Sequence, residues 1–107
     1  MNEKYQIKIT DKAQFDQDCE AAFAKFRIAI QPWRSIDPNC YVSLGGDSHS
    51  GEWSVVFEDG FWVVFIGERG ERYQISLFTS VWDAVSFAGY VVTAGRAIDK
   101  PFPLLRP

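Results

Sequence analysis

Apolar residues between positions 15 and 30 recur at the three- and four-residue spacing of a helix with one buried face. The repeat consists of Phe15, Cys19, Ala22, Phe23, Phe26 and Ile30. Thr10 and Asp11 precede it as candidate N-caps, and Gln14 follows Asp11 at the spacing of a capping box. We expect Pro32 to end the helix, because proline lacks a backbone donor and clashes with the preceding turn.

A second helix is predicted from Ser80 to about residue 94. Ser80 serves as its N-cap, and Asp83 places a carboxylate near the amino end, where it favours the helix. Gly95 suits the position just after the helix end. The buried face is expected to comprise Trp82, Val85, Ala88 or Gly89, and Val92.

Between the helices, apolar runs separated by turn residues predict a series of strands. Residues 53–58 and 61–66 flank Asp59-Gly60, a pair that suits a type I′ hairpin turn. Residues 61–66 are apolar throughout, which predicts an inner strand covered on both faces, by helices on one side and by a loop, the tail or a partner on the other.

The next run, residues 72–78, alternates and should place Tyr73, Ile75 and Leu77 on one side. Residues 5–9 and 41–44 are weaker strand candidates, whereas 31–39 and 45–51 are expected to be loops. Phe102, Leu104 and Leu105 of the tail are expected to pack back on the body. The sequence therefore predicts one α+β domain over residues 1–107: an antiparallel meander of three to five strands with two main helices mostly on one face.

Composition and charge narrow the classes of function. With a net charge of −3, the sequence shows no basic footprint of the kind that nucleic-acid binders usually carry, and no apolar run reaches the roughly 20 residues of a membrane span. Residues 1–60 hold ten Asp or Glu against six Lys or Arg, so this half would face a basic partner or simply remain solvated. With two cysteines and no apolar signal segment at the start, the chain is expected in the cytoplasm.

The lone histidine is the main candidate for a catalytic residue. His49 lies in a glycine-rich segment, near Asp47 and Glu52, and could act as a general base oriented by a carboxylate. Neither a second histidine nor a nucleophile at a rigid elbow accompanies it, so an exposed loop histidine is the simpler interpretation. An enzymatic or ligand-binding site near His49 and Trp33 remains the alternative, and a structural adaptor is a third. No cofactor or metal motif is present in the sequence.

The second half of the chain carries a pattern of its own. A hairpin with Trp53 and Trp62 leads through Glu68-Arg69-Gly70 into a strand that ends at Phe78, and a helix carrying Asp83-Ala84 follows. This pattern resembles the small immunity proteins of bacterial polymorphic toxin and contact-dependent growth inhibition systems.

The resemblance implies that the protein is not an enzyme and that it binds a cognate toxin domain in the cytoplasm, covering the toxin's active site or substrate groove. Many such toxins are nucleases with basic surfaces, which an acidic inhibitor would approach by electrostatic steering. Immunity families share no catalytic site, so exposure alone guides the choice of partner-binding residues. The expected set is Asp47, His49, Glu52, Glu58, Asp59, Glu68, Arg69 and Glu71.

Overall fold

The computed structural model describes residues 8–96, 98 and 100–107. Over these residues the chain forms three helices and four strands, and the predicted α+β class is confirmed. In chain order the elements are α1 (Lys12–Ala29), α2 (Gln31–Ile36), β1 (Val42–Leu44), β2 (Ser50–Glu58), β3 (Phe61–Glu68), β4 (Glu71–Phe78) and α3 (Val81–Thr93). The strands form one sheet in the order β1-β2-β3-β4.

Helix α1 begins where the capping residues predict. The side chain of Asp11 accepts a hydrogen bond from the Gln14 backbone N–H at 3.0 Å, satisfying one of the free donors of the first turn. Gln14 does not complete the capping box, because its side-chain amide donates to Asp18 at 2.9 Å. The buried stripe centres on Ala22 and Phe26, as the apolar spacing indicates.

The prediction of a loop after α1 is wrong, because Gln31–Ile36 forms helix α2. Pro32 lies in the first turn of this helix, where a missing N–H removes no intrahelical bond. The proline therefore separates two helices without preventing the second. Trp33 is consequently a core residue, 2% exposed, with its ring 5.5 Å from that of Phe102.

The sheet is mixed, so the prediction of a purely antiparallel meander is wrong at its first strand. β1 pairs in parallel with β2, in the register Val42 with Trp53 and Leu44 with Val55. The connecting segment, residues 45–49, returns across one face of the sheet before β2 begins. Ser48 marks this path, since its backbone N–H donates to the Ser54 hydroxyl at 2.9 Å. We call residues 45–49 the crossing loop. Residues 5–7 of the predicted first strand lie outside the described residues, and Lys8 and Ile9 are not in a strand.

The predicted β2–β3 hairpin is confirmed. Asp59 and Gly60 have φ angles of 53° and 80°, and a type I′ turn requires positive φ at both positions. β3 is an inner strand, and its residues from Phe61 to Phe65 are all at most 7% exposed. Covering of both faces, inferred from the unbroken apolar run, is therefore confirmed.

The expected alternation of β4 is wrong, because a β-bulge interrupts the strand. Ser76 pairs with Val64 and Tyr73 with Ile66, so β4 uses one more residue than β3 over this interval. Gln74 adopts the positive φ of 52° at the bulge. Leu77, paired with Val63, therefore lies on the face opposite Tyr73, which disagrees with the prediction that they share one side.

Helices α1 and α3 cover one face of the sheet, which we call the helix face. Ser80 caps α3 as predicted, accepting from the Trp82 N–H at 3.2 Å, and Gly95 follows the helix with φ +74°. In the tail, Phe102 is buried and the Leu105 N–H donates to the Ser86 hydroxyl at 2.8 Å. Leu104 is 72% exposed, so its predicted packing is wrong.

Candidate protein-binding surface

The β3–β4 turn holds two carboxylates directly opposite each other. Glu68 and Glu71 form the last cross-strand pair before the turn, and Arg69 and Gly70 make the turn with φ angles of 52° and 81°. Both glutamates are exposed. Like charges in directly opposed positions destabilise a sheet. The turn thus presents two closely spaced carboxylates, with Arg69 between them in the chain, and folding alone does not favour this pairing.

Neighbouring groups lie close to both glutamates. The Tyr73 hydroxyl donates to Glu71 Oε2 at 2.7 Å, and this hydrogen bond to a carboxylate raises the pKa of Tyr73. The Glu68 carboxylate lies over Gly51 of β2, 3.8 Å from where a Cβ at that glycine would stand. The Arg69 N–H donates to the His49 carbonyl at 3.2 Å, joining the crossing loop to the turn.

Arg72 ties two of the predicted interface residues to the protein itself. Its Nε and Nη2 donate to the Asp47 carboxylate at 3.1 and 3.0 Å, while Nη1 and Nη2 donate to Glu58 at 2.6 and 2.9 Å. The guanidinium also lies 4.2 Å from the ring centroid of Phe65. We call Asp47, Glu58 and Arg72 the arginine clamp. The hydrogen bond from Arg72 lowers the pKa of Glu58, and the same contact raises the pKa of Arg72.

The structure therefore brings together only part of the predicted set. Asp47, His49, Glu68, Arg69 and Glu71 gather around the β3–β4 turn, and Glu58 is joined to them through Arg72. The half-buried Glu52 lines a separate groove with Tyr41, Trp53 and Arg96. Asp59 lies in the β2–β3 turn, at the other end of these strands.

Sequence reasoning missed the apolar part of this surface. β4 is an edge strand, and Tyr73, Ile75 and Leu77 are 47%, 56% and 45% exposed. Their alternation with polar residues indicates one buried side, and the bulge at Gln74 defeats that inference. The edge position depends on where the other strands pair, which the local pattern does not encode.

The alternative site near His49 and Trp33 is not assembled. Trp33 packs against Phe102 within the core under the helices. His49 is exposed in the crossing loop, which lies on the opposite face of the sheet: an added Cβ on Gly67 would meet the Ser48 carbonyl at 2.3 Å. The sheet therefore separates the two side chains.

Both thiols are at least partly buried. Burial raises the pKa of Cys19 to about 11, and the nearby Asp16 contributes in the same direction. Cys40 is fully buried, and burial raises its pKa as well. A raised pKa lowers the fraction of reactive thiolate at neutral pH.

Over residues 8–96, 98 and 100–107, no three His, Cys, Asp or Glu side chains converge as a metal site requires. Within the same ranges, no helix combines the length and apolar character needed to cross a bilayer. The chain matches no protein-family model, no curated protein sequence and no solved structure.

Proposed function

We propose that this protein is a cytoplasmic immunity protein that binds a basic toxin domain through the edge of its sheet. The observation that carries the proposal is an exposed apolar edge strand beside a turn with two opposed glutamates. We define the β4 surface as Glu68, Glu71, Tyr73, Ile75 and Leu77, which lie along the edge strand and its turn on both faces of the sheet. Bound there, the protein would cover the toxin's active site or substrate groove, as the resemblance to immunity proteins implies.

The apolar residues of the β4 surface supply the area that an interface must bury. Ile75 and Leu77 each expose about half of their side chain, and an edge strand also leaves one row of backbone donors and acceptors unpaired. Exposed apolar area of this kind is typical of sites that contact other macromolecules. Protein interfaces combine such an apolar centre with a polar rim.

Glu68 and Glu71 supply the polar rim and give it a negative charge. Their mutual repulsion would be relieved by a Lys or Arg from a partner placed between them, so binding would gain where folding loses. A toxin that acts on nucleic acid carries such basic residues. Opposite charges also accelerate association and disfavour acidic partners.

The test begins with capture of partners by the tagged protein from its own organism, followed by mass spectrometry. We expect the C-terminal domain of a large secreted protein among the partners. Support requires more than capture: the purified domain must show a toxic activity that one equivalent of this protein suppresses.

Matched variants locate the surface. Leu77→Lys places a charge at the apolar end of the β4 surface and should weaken suppression by at least about tenfold. The control Ile28→Lys changes an apolar residue that is 74% exposed on α1 and should leave suppression unchanged. Equal suppression by both variants, with the toxin still neutralised, would remove β4 from the interface. Partners without any activity that this protein suppresses would overturn the immunity function itself.

A further inference from the structure

A groove of about 210 Å³ lies on the other side of the molecule, between the end of α1, helix α2 and β1. Its apolar lining includes Phe26, Ile30 and Val42, all of them at most 5% exposed. Arg27 and Arg34 line the same groove. We call this the arginine groove.

The two arginines of the groove have no carboxylate partner among the described residues. By contrast, Arg72 binds two carboxylates and Arg96 pairs with Asp37. Arg34 is oriented by Tyr41, whose ring centroid lies 5.2 Å from the guanidinium carbon. A cation–π contact of this kind does not use up the guanidinium N–H donors, which leaves them available for an acceptor.

The lining of the groove is positively charged in a protein with a net charge of −3. Among the described residues that line it there is no Asp or Glu, and Gln31 adds a further side-chain amide. Arg27 and Arg34 each lie in the last turn of a helix, where a cation stabilises the helix dipole. That role is satisfied anywhere around the helix end, so it does not account for both side chains lining one apolar groove.

We propose that the arginine groove binds a small organic anion. A carboxylate would accept hydrogen bonds from Arg27 and Arg34, and the apolar body would rest on Phe26, Ile30 and Val42. Arginine suits a carboxylate because its parallel N–H groups match the two oxygens. Drug-sized ligands occupy pockets of about 300–1,000 Å³, so the ligand here is a compact one, such as an aromatic or short aliphatic acid.

The experiment is an NMR titration of the ¹⁵N-labelled full chain with benzoate and, separately, with hexanoate. Benzamide and hexanamide serve as neutral controls of nearly the same shape. We expect saturable shifts of the backbone N–H signals of Ile30, Val42 and Leu44 on addition of either acid. Benzamide and hexanamide should bind at least about tenfold more weakly than the acids, because the charge-assisted hydrogen bonds are lost.

Two variants test the arginines. Arg34→Gln should weaken benzoate binding about tenfold, and Arg34→Lys should recover only part of the loss because lysine lacks the paired donors. Arg69→Gln removes an exposed arginine from the β3–β4 turn and should leave binding unchanged. Circular dichroism confirms that each variant is folded. Absence of saturable shifts with either acid, equal binding of acid and amide, or equal effects of Arg34→Gln and Arg69→Gln would overturn the proposal.

This inference is independent of the immunity function. Toxin suppression is measured at the β4 surface and anion binding at the arginine groove. Either measurement can therefore fail while the other succeeds.

Discussion

The two faces of the sheet are closed by different means. On the helix face, α1, α3 and Phe102 cover the sheet with interlocking apolar side chains. On the opposite face, the small cluster of Val56, Val63 and Phe65 is accompanied by the crossing loop and the guanidinium of Arg72. We call this second side the loop face.

The stability of the two faces should therefore depend on different interactions. The helix face gains its stability from the area and close fit of many apolar groups, so it should respond to changes in side-chain volume. The loop face relies on a close backbone approach at Gly67 and on the charged groups of the arginine clamp. The stability of the loop face should therefore change with the space left at Gly67, with pH and with salt.

The largest effect is expected for Gly89→Ala on the helix face. A Cβ at this position would stand 2.2 Å from Cε1 of the buried Phe102 ring, so the ring or the tail must move. Overpacking and lost burial together should lower the free energy of unfolding by about 3 kcal/mol, measured by urea denaturation.

A double-mutant cycle separates this clash from any other effect of the substitution. In a Phe102→Ala background the obstacle is gone, and alanine within a helix should then stabilise by about 0.5–1 kcal/mol relative to glycine. If Gly89→Ala cost the same in both backgrounds, contact with Phe102 would not be the reason that glycine occupies this position.

On the loop face, Gly67→Ala should have the next largest effect. The new Cβ would lie 2.3 Å from the Ser48 carbonyl oxygen, and a backbone atom cannot rotate away as a side chain can. We expect displacement of the crossing loop and a loss of about 2 kcal/mol in the free energy of unfolding.

The control for Gly67 lies in the crossing loop itself. A Cβ on Gly46 would meet nothing within 4 Å, so Gly46→Ala should change the free energy of unfolding by less than about 0.5 kcal/mol. Faster hydrogen exchange at the Ser48 amide in Gly67→Ala, and not in Gly46→Ala, would locate the damage. Similar stabilities for both variants would mean that the loop is not held against the sheet.

Local signals account for the parts of the fold that sequence reasoning predicted. Asp59-Gly60 encodes its own turn through the conformations that both residues tolerate, and Asp11 and Ser80 mark helix starts through bonds within one turn. The unbroken apolar run of β3 indicates that both faces of the strand are buried. Each of these inferences depends on residues close together in the chain.

The features that sequence reasoning did not predict depend on residues far apart in the chain. Pro32 is compatible both with a helix end and with a first turn, and burial of Trp33 against Phe102 favours the second. The parallel pairing of β1 depends on the path of the crossing loop over the sheet. The arginine clamp likewise joins Asp47 and Glu58 to Arg72 across 25 and 14 residues, so no local pattern indicates that these two acids are paired.

Arg72→Met tests the charged part of the loop face with a smaller expected effect. Methionine keeps apolar contact with Phe65 but leaves Asp47 and Glu58 without their shared cation. Because both acids are more than one-third exposed, solvent screens the lost interaction. We therefore expect the free energy of unfolding, measured by urea denaturation, to fall by about 1 kcal/mol. Adding Asp47→Asn and Glu58→Gln should recover part of it. If the triple variant were no more stable than Arg72→Met, repulsion between the carboxylates would not contribute.

The smallest effect is a pH dependence carried by Glu58. Its pKa is lowered in the folded state by the hydrogen bond from Arg72, so the unfolded chain takes up a proton at higher pH than the folded one. The stabilisation is therefore present at neutral pH and is lost as pH falls through the folded pKa. Glu58→Gln should lower the free energy of unfolding by about 0.5 kcal/mol at pH 7, and the difference from the parent should shrink as pH falls below the ordinary glutamate pKa of about 4.3.

Salt distinguishes this electrostatic origin from a packing defect in Glu58→Gln. Raising the ionic strength to about 1 M shortens the screening length to about 3 Å and should reduce the difference at pH 7. The comparison variant Glu20→Gln removes an exposed carboxylate from α1, on the other side of the sheet, and should show no such trend. If the difference in free energy of unfolding between Glu58→Gln and the parent persisted unchanged at low pH and at high salt, packing and not charge would stabilise the loop face. The proposed contrast between the two faces would then be wrong.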